Sequence, residues 1–361
     1  MPAIRLLPET VVNRIAAGEV VERPAAAAKE LVENALDAGA RRISVALDGG
    51  GIDRIEVADD GCGMSADDLA LCVLRHATSK LADESLVRIA TLGFRGEALP
   101  SIGAAARLEI VSRPAGADSA HRIAVEGGRV SAVAPAAGAH GTRVVVRDLF
   151  FATPARRKFL KQPRAEAEHA EAAVKRLALA APGVAFRLEI DGRAAFDLPA
   201  QDRAVRAAAL LGPEAAAAMM PVRHVRGNLE LTGHACSAAV SAATAARQFL
   251  TVNGRPVTDP MLKSAVARAP SARCWWAASS APWRGTPTRR APRRACPSTA
   301  RVCGSRIPAR PSGRTRASAR CRCRVSRRPR PAPPIPRAWP RRRRRSSTPP
   351  PRASCPSPTR R

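Results

Sequence analysis

Hydrophobic and polar positions along the first 200 residues follow two different periods, about 3.6 residues where a helix is predicted and about 2 residues where a strand is predicted. Pro24 suits the first turn of a helix, and Gly39 suits the position just after a helix end. Between them, apolar residues at helical spacing form one stripe, made of Ala28, Leu31, Val32, Ala35 and Leu36. The pattern therefore predicts an amphipathic helix with one buried face.

Alternating patterns predict strands in the segments that follow. Residues 41–50 and 52–60 are predicted to form two strands joined by a glycine-rich turn, as an antiparallel hairpin. Ser65 is a suitable N-cap for the next helix, whose first turn is acidic. Further strands are predicted at 106–113, 121–136, 141–150 and 184–192, and a long helix at 163–181. This succession predicts a two-layer α/β unit.

The pattern resumes after residue 203 and then stops. It predicts a helix at 204–217, strands at 228–236 and 247–257, and the start of a helix at 259–269. Such a segment is too short for a comfortable core of its own. We therefore divide the chain into an α/β domain at 1–203, an incomplete second α/β domain at 204–267 and a tail at 268–361. The tail lacks apolar periodicity and is expected to be disordered.

The charge of the chain is concentrated in its last part. The net charge is +30, yet all 30 acidic residues precede Ser264, whereas 27 Arg and no Lys follow it. The same part holds all four Trp and six of the nine Cys. A basic nucleic-acid arm is one interpretation. Out-of-frame translation from about residues 267–273 is the other, and the enrichment in residues with GC-rich codons favours it.

The sequence gives no sign of export or of membrane insertion. The first residues lack a basic region followed by an apolar one, and no run of 18 uncharged apolar residues occurs. Cys62, Cys72 and Cys236 show no paired spacing, and the pair within residues 321–324 lacks a partner pair at zinc-finger spacing. We expect reduced thiols and a cytoplasmic protein.

Two motifs in the first 64 residues suggest chemistry. Glu30 and Asn34 are i,i+4 neighbours on the polar face of the first predicted helix, although most such pairs are simply solvated. The stretch ADDGCGM at 58–64 places a carboxylate and two glycines after a strand, where a backbone can approach a flat ligand closely. The alternative for this second motif is an ordinary turn between a strand and a helix.

Two later motifs are also rich in glycine. TLGFRGEALPSIG at 91–103 combines a glycine loop with a helix start, which is typical of a phosphate cradle, although its spacing is not that of a P-loop. GAHGTRVVV at 138–146 places Thr142 at the start of a strand, where its hydroxyl can hold a water beside a bound base. A surface loop and an ordinary strand start are the respective alternatives.

Taken in order, the four motifs resemble the ATP-binding unit shared by gyrase B-type topoisomerases, heat-shock chaperones, histidine kinases and MutL proteins. The sequence is similar to the MutL mismatch-repair family in particular through ENALDAGA, DDGCGM, RHATSK, LGFRGEAL and VNGRPV. The resemblance runs from about residue 3 to residue 267. It implies a two-layer GHKL (Bergerat-type) sandwich, with ATP and Mg²⁺ as cofactors, that couples ATP hydrolysis to mismatch repair.

The resemblance also implies roles for individual residues. Glu30 corresponds to the general base that activates the attacking water, Asn34 to a Mg²⁺ ligand, and Asp59 to the residue that recognises the adenine amino group. Residues 75–97 correspond to a lid over the nucleotide, and Arg255 is the candidate DNA contact. Further cofactor-binding positions are Gly61, Gly63, Thr78, Gly93, Arg95, Gly96, Glu97, Ala98, Leu99 and Thr142. Glu33 and Asp37 are expected to set helix charge and packing rather than to act in catalysis.

The partners that the resemblance implies are DNA, a MutS-type mismatch-recognition protein and a second copy of the N-terminal domain, paired when ATP is bound. The expected location is the bacterial cytoplasm, in association with the nucleoid. The sequence departs from the family in one respect that bears on catalysis. The family's second domain supplies a Lys to the γ-phosphate in a segment like Asn-Val-His-Pro-x-Lys, but this sequence has no His-Pro dipeptide and no Lys after Lys263. It also shows no endonuclease motif.

We therefore expect ATP binding to be retained better than turnover. Two other hypotheses stay open. One is a nonfunctional truncated product, and the other is an ATP-binding module with a genuine basic arm for nucleic acid.

Overall fold

The computed structural model describes residues 6–80, 91–93, 95–227, 229–236, 248–267 and 275–279. Helices in these residues are α1 (Glu9–Val20), α2 (Pro24–Asp37), α3 (Ala66–Leu71), α4 (Ala98–Ala105), α5 (Pro154–Arg157), α6 (Pro163–Ala180), α7 (Arg203–Leu211), α8 (Pro213–Ala217) and α9 (Pro260–Ala267). Strands of the first sheet are β1 (Arg42–Asp48), β2 (Arg54–Asp59), β3 (Arg107–Arg113), β4 (Ala120–Glu126), β5 (Arg129–Val130), β6 (Ala134–Ala136), β7 (Gly141–Arg147), β8 (Ala185–Ile190) and β9 (Arg193–Leu198). Strands of the second sheet are β10 (Met219–Arg226), β11 (Leu229–Cys236), β12 (Phe249–Val252), β13 (Arg255–Val257) and β14 (Trp275–Ser279).

The first sheet and its helices form the two-layer α/β unit that the sequence predicts. The strand order is β5-β4-β3-β7-β2-β1-β8-β9, and β6 lies beside β4. β1 and β2 form the predicted antiparallel hairpin, while β1 pairs with β8 in parallel. Helices α2, α4 and α6 pack on this sheet, and α1 packs on α4. None of the described helices is long and apolar enough to cross a membrane.

The core lies between the stripe of α2 and the inward face of the hairpin. Ile43, Val45 and Leu47 on β1 are fully buried, as alternation along a half-buried strand requires. Leu31 and Val32 on α2 are buried to 2% exposure or less and belong to the same cluster. The predicted stripe of α2 is thus confirmed, and the opposite face of this helix is left for polar contacts.

Several elements differ from the predictions, and each difference has a local cause. The helix predicted at 204–217 is broken at Gly212, whose φ of +93° is left-handed and which precedes Pro213 at the start of α8. Helix α1 and the strands β9 and β10 were not predicted. β9 and β10 are largely exposed edge strands, so their sequences lack the alternation that marks a buried face.

The second sheet extends beyond the predicted end of structure at residue 267. Its order is β10-β11-β14-β12-β13, so β14 occupies the central position. β14 is antiparallel to β11 and parallel to β12. The expectation of a structureless tail from residue 268 is therefore wrong for residues 275–279. The other tail residues, 268–274 and 280–361, lie outside the described part of the chain.

Arg206 connects α7 to the end of α6, to the segment before β8 and to the residue after β9. Its side chain is fully buried, and its guanidinium donates to the carbonyl oxygens of Ala178 at 2.9 Å, Pro182 at 3.0 Å, and Val184 and Pro199 at 2.7 Å each. Burial lowers the pKa of this guanidinium. A planar fork of donors binds carbonyl oxygens from the last turn of α6, from the segment before β8 and from the residue after β9. The contact of α7 with these segments is thus a buried cation held by backbone oxygens.

Replacing Arg206 by Ala should lower the free energy of unfolding by about 3 kcal/mol or more, because buried carbonyl oxygens lose their donor. The urea midpoint followed by circular dichroism measures this change. Arg226 is exposed on β10, and the matched variant Arg226→Ala should stay within about 0.5 kcal/mol of the parent chain. Equal midpoints for the two variants would contradict this account of the contact.

Candidate nucleotide-binding site

The polar face of α2 carries two clusters of charge, of which the first surrounds Lys29. The Lys29 Nζ atom lies 3.0 Å from Glu30 Oε1 and 2.8 Å from Glu33 Oε2. Burial raises the pKa of Glu33, whose side chain is 9% exposed, against the opposing effect of Lys29. Burial alone would lower the pKa of Lys29, but the two carboxylates raise it overall, so Lys29 is protonated. Glu30 is the more open of the two acids, with its side chain 31% exposed.

The second cluster surrounds Asp37 and lies one to two turns further along α2. Asp37 Oδ2 accepts from Lys80 Nζ at 2.6 Å and from the backbone N–H of Gly93 at 2.9 Å, and Oδ1 accepts from the N–H of Leu92 at 2.7 Å. The Lys80 ammonium also donates to Asn34 Oδ1 at 2.7 Å. Asp37 is only 6% exposed at its side chain. Asp37 thus binds two distant segments of the chain, in addition to the role in helix charge and packing that is expected from the sequence.

Asp59 closes β2 at the point where three strands lie side by side. Thr142 on β7 is directly opposite Asp59, and Ser112 on β3 is opposite Thr142. The Asp59 Oδ1 atom accepts from the N–H of Gly61 at 2.9 Å. The hydroxyls of Ser112 and Thr142 are 2.9 Å apart, and Ser112 Oγ accepts from the N–H of Met64 at 2.8 Å. The structure thus brings Asp59, Gly61 and Thr142 together, as the motifs predict.

Sequence reasoning did not find Ser112. It is 1% exposed and links the strand end that carries Thr142 to the loop after Asp59. A buried Ser on an alternating strand is an ordinary sequence feature, and only its place opposite Thr142 reveals its role. Its hydroxyl fixes the side chain of Thr142, which the sequence analysis assigned to a water beside the base.

The Asp59 carboxylate is partly desolvated. Burial raises its pKa above the ordinary value for Asp, while hydrogen bonds from the backbone N–H groups of Gly61 and Thr142 oppose this rise. An ionised carboxylate in such a place gains from any further donor that a ligand brings. The geometry therefore suits the recognition of an amino group.

Two glycines are required by the close packing of this strand end. A Cβ at Gly141 would lie 1.9 Å from the carbonyl oxygen of Asp59, and one at Gly63 would lie 2.4 Å from that of Arg113. Both glycines have left-handed φ angles, +103° and +70°. The backbone on either side of Asp59 is thus fixed in its path, and the carboxylate with it.

The loop that follows β2 also packs on the end of α2. The N–H of Cys62 donates to the carbonyl oxygen of Ala38 at 3.0 Å, and a Cβ at Gly61 would meet Ala38 Cβ at 2.8 Å. Asp60 accepts from the N–H groups of Arg41 and Arg42 at 2.7 Å each. These contacts bring the Asp59 end of the sheet next to the Asp37 end of α2.

The segment before residue 81 and the segment after residue 90 meet at Gly96. The N–H of His76 donates to the carbonyl oxygen of Gly96 at 3.2 Å, and a Cβ at Gly96 would lie 2.4 Å from the carbonyl oxygen of Ala77. Thr78 Oγ1 accepts from the N–H of Lys80 at 3.2 Å. This packing fixes the path of the chain on both sides of residues 81–90. Those ten residues of the predicted lid, and Phe94, lie outside the described part of the chain.

The remaining predicted phosphate contacts surround the start of α4. Ala98 and Leu99 are its first two residues, and Glu97 is its N-cap, whose side chain makes no capping bond. The Glu97 carboxylate lies 3.7 Å from the imidazole of His76, and Arg95 is exposed. The first N–H groups of a helix point outward and attract anions.

Arg255, the candidate DNA contact, reaches the same region from the second sheet. It lies on β13, and its guanidinium donates to the carbonyl oxygen of Thr91. The hydroxyl of Thr91 in turn donates to the carbonyl oxygen of Gly93 at 2.7 Å. The second sheet thus contacts the segment that Asp37 holds.

Two family models match the chain, over separate ranges of residues. "Histidine kinase-, DNA gyrase B-, and HSP90-like ATPase" matches residues 22–132, and "DNA mismatch repair protein, C-terminal domain" matches residues 207–274. The first range contains Glu30, Asn34, Asp59 and both glycine loops, and the second contains Arg255.

Curated relatives give the same family over most of the chain. The DNA mismatch repair protein MutL of Acidiphilium cryptum is 60% identical over 266 residues, which are 74% of this chain and 46% of that protein. The MutL of Bradyrhizobium diazoefficiens is 56% identical over 271 residues, 74% of this chain and 45% of that protein. The chain therefore spans about half the length of the curated relatives it matches.

A solved structure supports the fold and the family. The Aquifex aeolicus MutL ATPase domain, described as complexed with ADP, superposes with a TM-score of 0.58 at 26% identity. The match covers 73% of this chain and 93% of that domain. The resemblance seen in the motifs is thus confirmed, and the chain belongs to the MutL family of DNA mismatch repair proteins, of which it carries the N-terminal ATPase region.

Proposed function

We propose that this chain binds Mg·ATP between the end of α2 and the end of β2, and that ATP binding and hydrolysis couple mismatch recognition to later steps of repair. The convergence of Asn34 and Asp37 with the backbone of residues 92–93 carries the proposal. These groups come from segments about sixty residues apart, and their hydrogen bonds hold the Asn34 oxygen beside the start of the glycine loop at 93–99.

The adenine end of the site is assigned to Asp59. Its carboxylate already accepts one backbone donor from Gly61 and keeps capacity for the exocyclic amine of adenine. Gly61 and Gly63 bring the loop backbone close to the base plane, and Thr142 is held in place by Ser112. This arrangement favours adenine over guanine, because guanine presents a carbonyl oxygen at the corresponding position.

The phosphate end is assigned to Asn34 and the loop at 93–99. Asn34 Oδ1 is a hard oxygen that accepts from a cation in this structure, so its chemistry fits Mg²⁺. No cluster of three or more His, Cys, Asp or Glu in the described residues is placed to hold a metal. Mg²⁺ commonly takes one or two protein ligands and completes its shell with water and phosphate. When bound, the metal supplies positive charge that offsets the phosphate oxygens.

Glu30 is assigned to the attacking water. A carboxylate at neutral pH accepts a proton from water, and Glu30 lies one helical turn before Asn34 on the same face of α2. The Lys29 ammonium contacts its Oε1 atom and leaves the rest of the carboxylate available. Glu30 is the residue that orients the water and removes its proton.

The partners proposed for this chain follow from its family. They are DNA, a MutS-type mismatch-recognition protein and a second N-terminal domain when ATP is bound. A bacterial cytoplasmic location near the nucleoid is proposed on the same ground. Arg255 remains the proposed DNA contact in the second domain. It also donates to the carbonyl oxygen of Thr91, in the segment that Asp37 holds.

Asp59→Asn should weaken ATP binding by about 1.5–3 kcal/mol, because the charge-assisted hydrogen bond to adenine is lost. Calorimetry with Mg·ATP measures the change. Asp60→Asn is the matched control, because Asp60 is adjacent but accepts from the backbone N–H groups of Arg41 and Arg42. The ATP affinity of this control should stay within about twofold of that of the parent chain. Unchanged affinity in Asp59→Asn would place the base elsewhere.

The same variant should alter the dependence of stability on pH. Because burial raises the pKa of Asp59 in the folded chain, the folded state binds its proton more tightly than the unfolded state does. Stability from this group is present at low pH and is lost as the pH rises through the raised pKa. Asp59→Asn should therefore match or exceed the parent chain in free energy of unfolding at pH 7.

Glu30→Ala should lower hydrolysis about 10²–10⁴-fold while ATP affinity persists, because only the general base is removed. Single-turnover hydrolysis of labelled ATP measures the rate. Glu33→Ala is the control, since Glu33 shares Lys29 with Glu30 but is buried beside the core. Loss of binding together with hydrolysis in Glu30→Ala would make Glu30 a structural residue.

Turnover by this chain should be about 10²–10³-fold below that of a version whose reading frame is corrected after residue 267. The reason is the family's second-domain Lys, whose charge would meet the transferring phosphoryl group. Parallel steady-state ATPase assays make the comparison. Equal rates would show that this cation is dispensable. In a separate measurement, a steep fall of DNA binding with rising salt concentration would favour the basic-arm alternative.

A further inference from the structure

The Lys80 side chain occupies the oxygen that the proposed function assigns to a metal ion. Lys80 Nζ lies 2.7 Å from Asn34 Oδ1 and 2.6 Å from Asp37 Oδ2. The ammonium charge thus lies within hydrogen-bond distance of the oxygen that would hold the metal ion. The inference drawn below rests on the proposed nucleotide site.

The space around these groups is small. A Cβ built on Gly93 would lie 3.2 Å from Lys80 Nζ and 3.7 Å from both Asn34 Oδ1 and Asp37 Oδ2. The three polar atoms therefore lie close together beside Gly93. A cation bound at Asn34 Oδ1 would lie near the Lys80 ammonium, and the like charges would repel each other.

The Asn34 contact is not needed to neutralise Lys80. Asp37 alone supplies the opposite charge, in a side chain that is 6% exposed. Asn34 is neutral, so its oxygen adds a ligand rather than a counter-charge. Asp37 meanwhile keeps its two backbone donors, the N–H groups of Leu92 and Gly93, whichever cation is present.

The geometry also allows the ammonium to leave without moving the backbone. The N–H of Lys80 is held by Thr78 Oγ1 at 3.2 Å, whereas the charge lies at the end of four methylene groups. The Lys80 side chain is 21% exposed, so a path toward solvent exists. Rotation of the side chain is therefore sufficient to free Asn34.

We infer that Lys80 is a positioning residue that stands in for the divalent cation, holding Asn34 Oδ1 and Asp37 together until the metal displaces it. Metal binding and release of Lys80 from Asn34 are then a single exchange of cations. The metal dependence of nucleotide binding is set in part by this lysine.

The test is a series of ADP titrations of the full chain by calorimetry, at free Mg²⁺ concentrations fixed by a chelator. The quantity measured is the Mg²⁺ concentration at which the ADP affinity is midway between its metal-free and saturated values. Lys80→Met and Lys80→Gln should each lower this midpoint about tenfold, because a competing charge is removed. Lys80→Arg keeps the charge and should keep the parent midpoint.

Lys175 provides the matched control. It forms a 2.6 Å ion pair with Glu171 on α6, far along the chain from the site, and Lys175→Met should leave the midpoint unchanged. Thermal melting of each variant verifies that it is folded, and the two neutral variants of Lys80 provide independent readings.

Three outcomes would overturn the inference, and they differ from one another. If both neutral variants have the same Mg²⁺ midpoint as the parent chain, this inference is wrong and the proposed function is unaffected. Loss of ADP binding with and without Mg²⁺ in those variants would make Lys80 a nucleotide ligand instead. Failure of the parent chain to bind ADP at saturating Mg²⁺ would overturn the proposed function, and this inference with it.

Discussion

The site depends on one buried carboxylate at the end of α2. Asp37 is 6% exposed and accepts three hydrogen bonds, two from the backbone of residues 92–93 and one from Lys80. These bonds tie the segment before residue 81 and the segment after residue 90 to the same helix. Desolvation of such a group is tolerated because each oxygen is satisfied, and the charge is balanced by a lysine.

The neighbouring carboxylates serve different ends because their surroundings differ. Asp59 is partly buried and bonded only to backbone N–H groups, so it is suited to bind a neutral amine. Glu30 is more exposed and lies beside Lys29, so it stays close to water. Glu33 is buried and paired, and it acts in packing as the sequence suggested. One helix and one strand end thus provide the acids that we propose for recognition and for proton transfer, and one acid for structure.

What the sequence predicted depended on local pattern, and what it missed depended on distance along the chain. The α2 stripe, the β1–β2 hairpin and the Ser65 cap are each specified within a few residues, and all are present. The grouping of Asp59 with Thr142 was implied by the family resemblance, and the strand register places the two residues opposite each other. The bond between Asp37 and Lys80 joins residues 43 apart, and no periodic signal encodes it. Ser112 and β14 were missed for the same reason, since strand partners decide their roles, whereas β10 was missed because it is an exposed edge strand without alternation.

The parallel pairing of β1 with β8 has a consequence for synthesis on the ribosome. β1 spans residues 42–48, but its neighbour is not made until residue 190 has been added. The first sheet therefore cannot close during the early part of translation, and contacts of long sequence separation form slowly. All of its strands, however, precede residue 199, well upstream of the change in composition after Ser264. A nascent chain can therefore complete the first sheet before the ribosome reaches the Arg-rich segment.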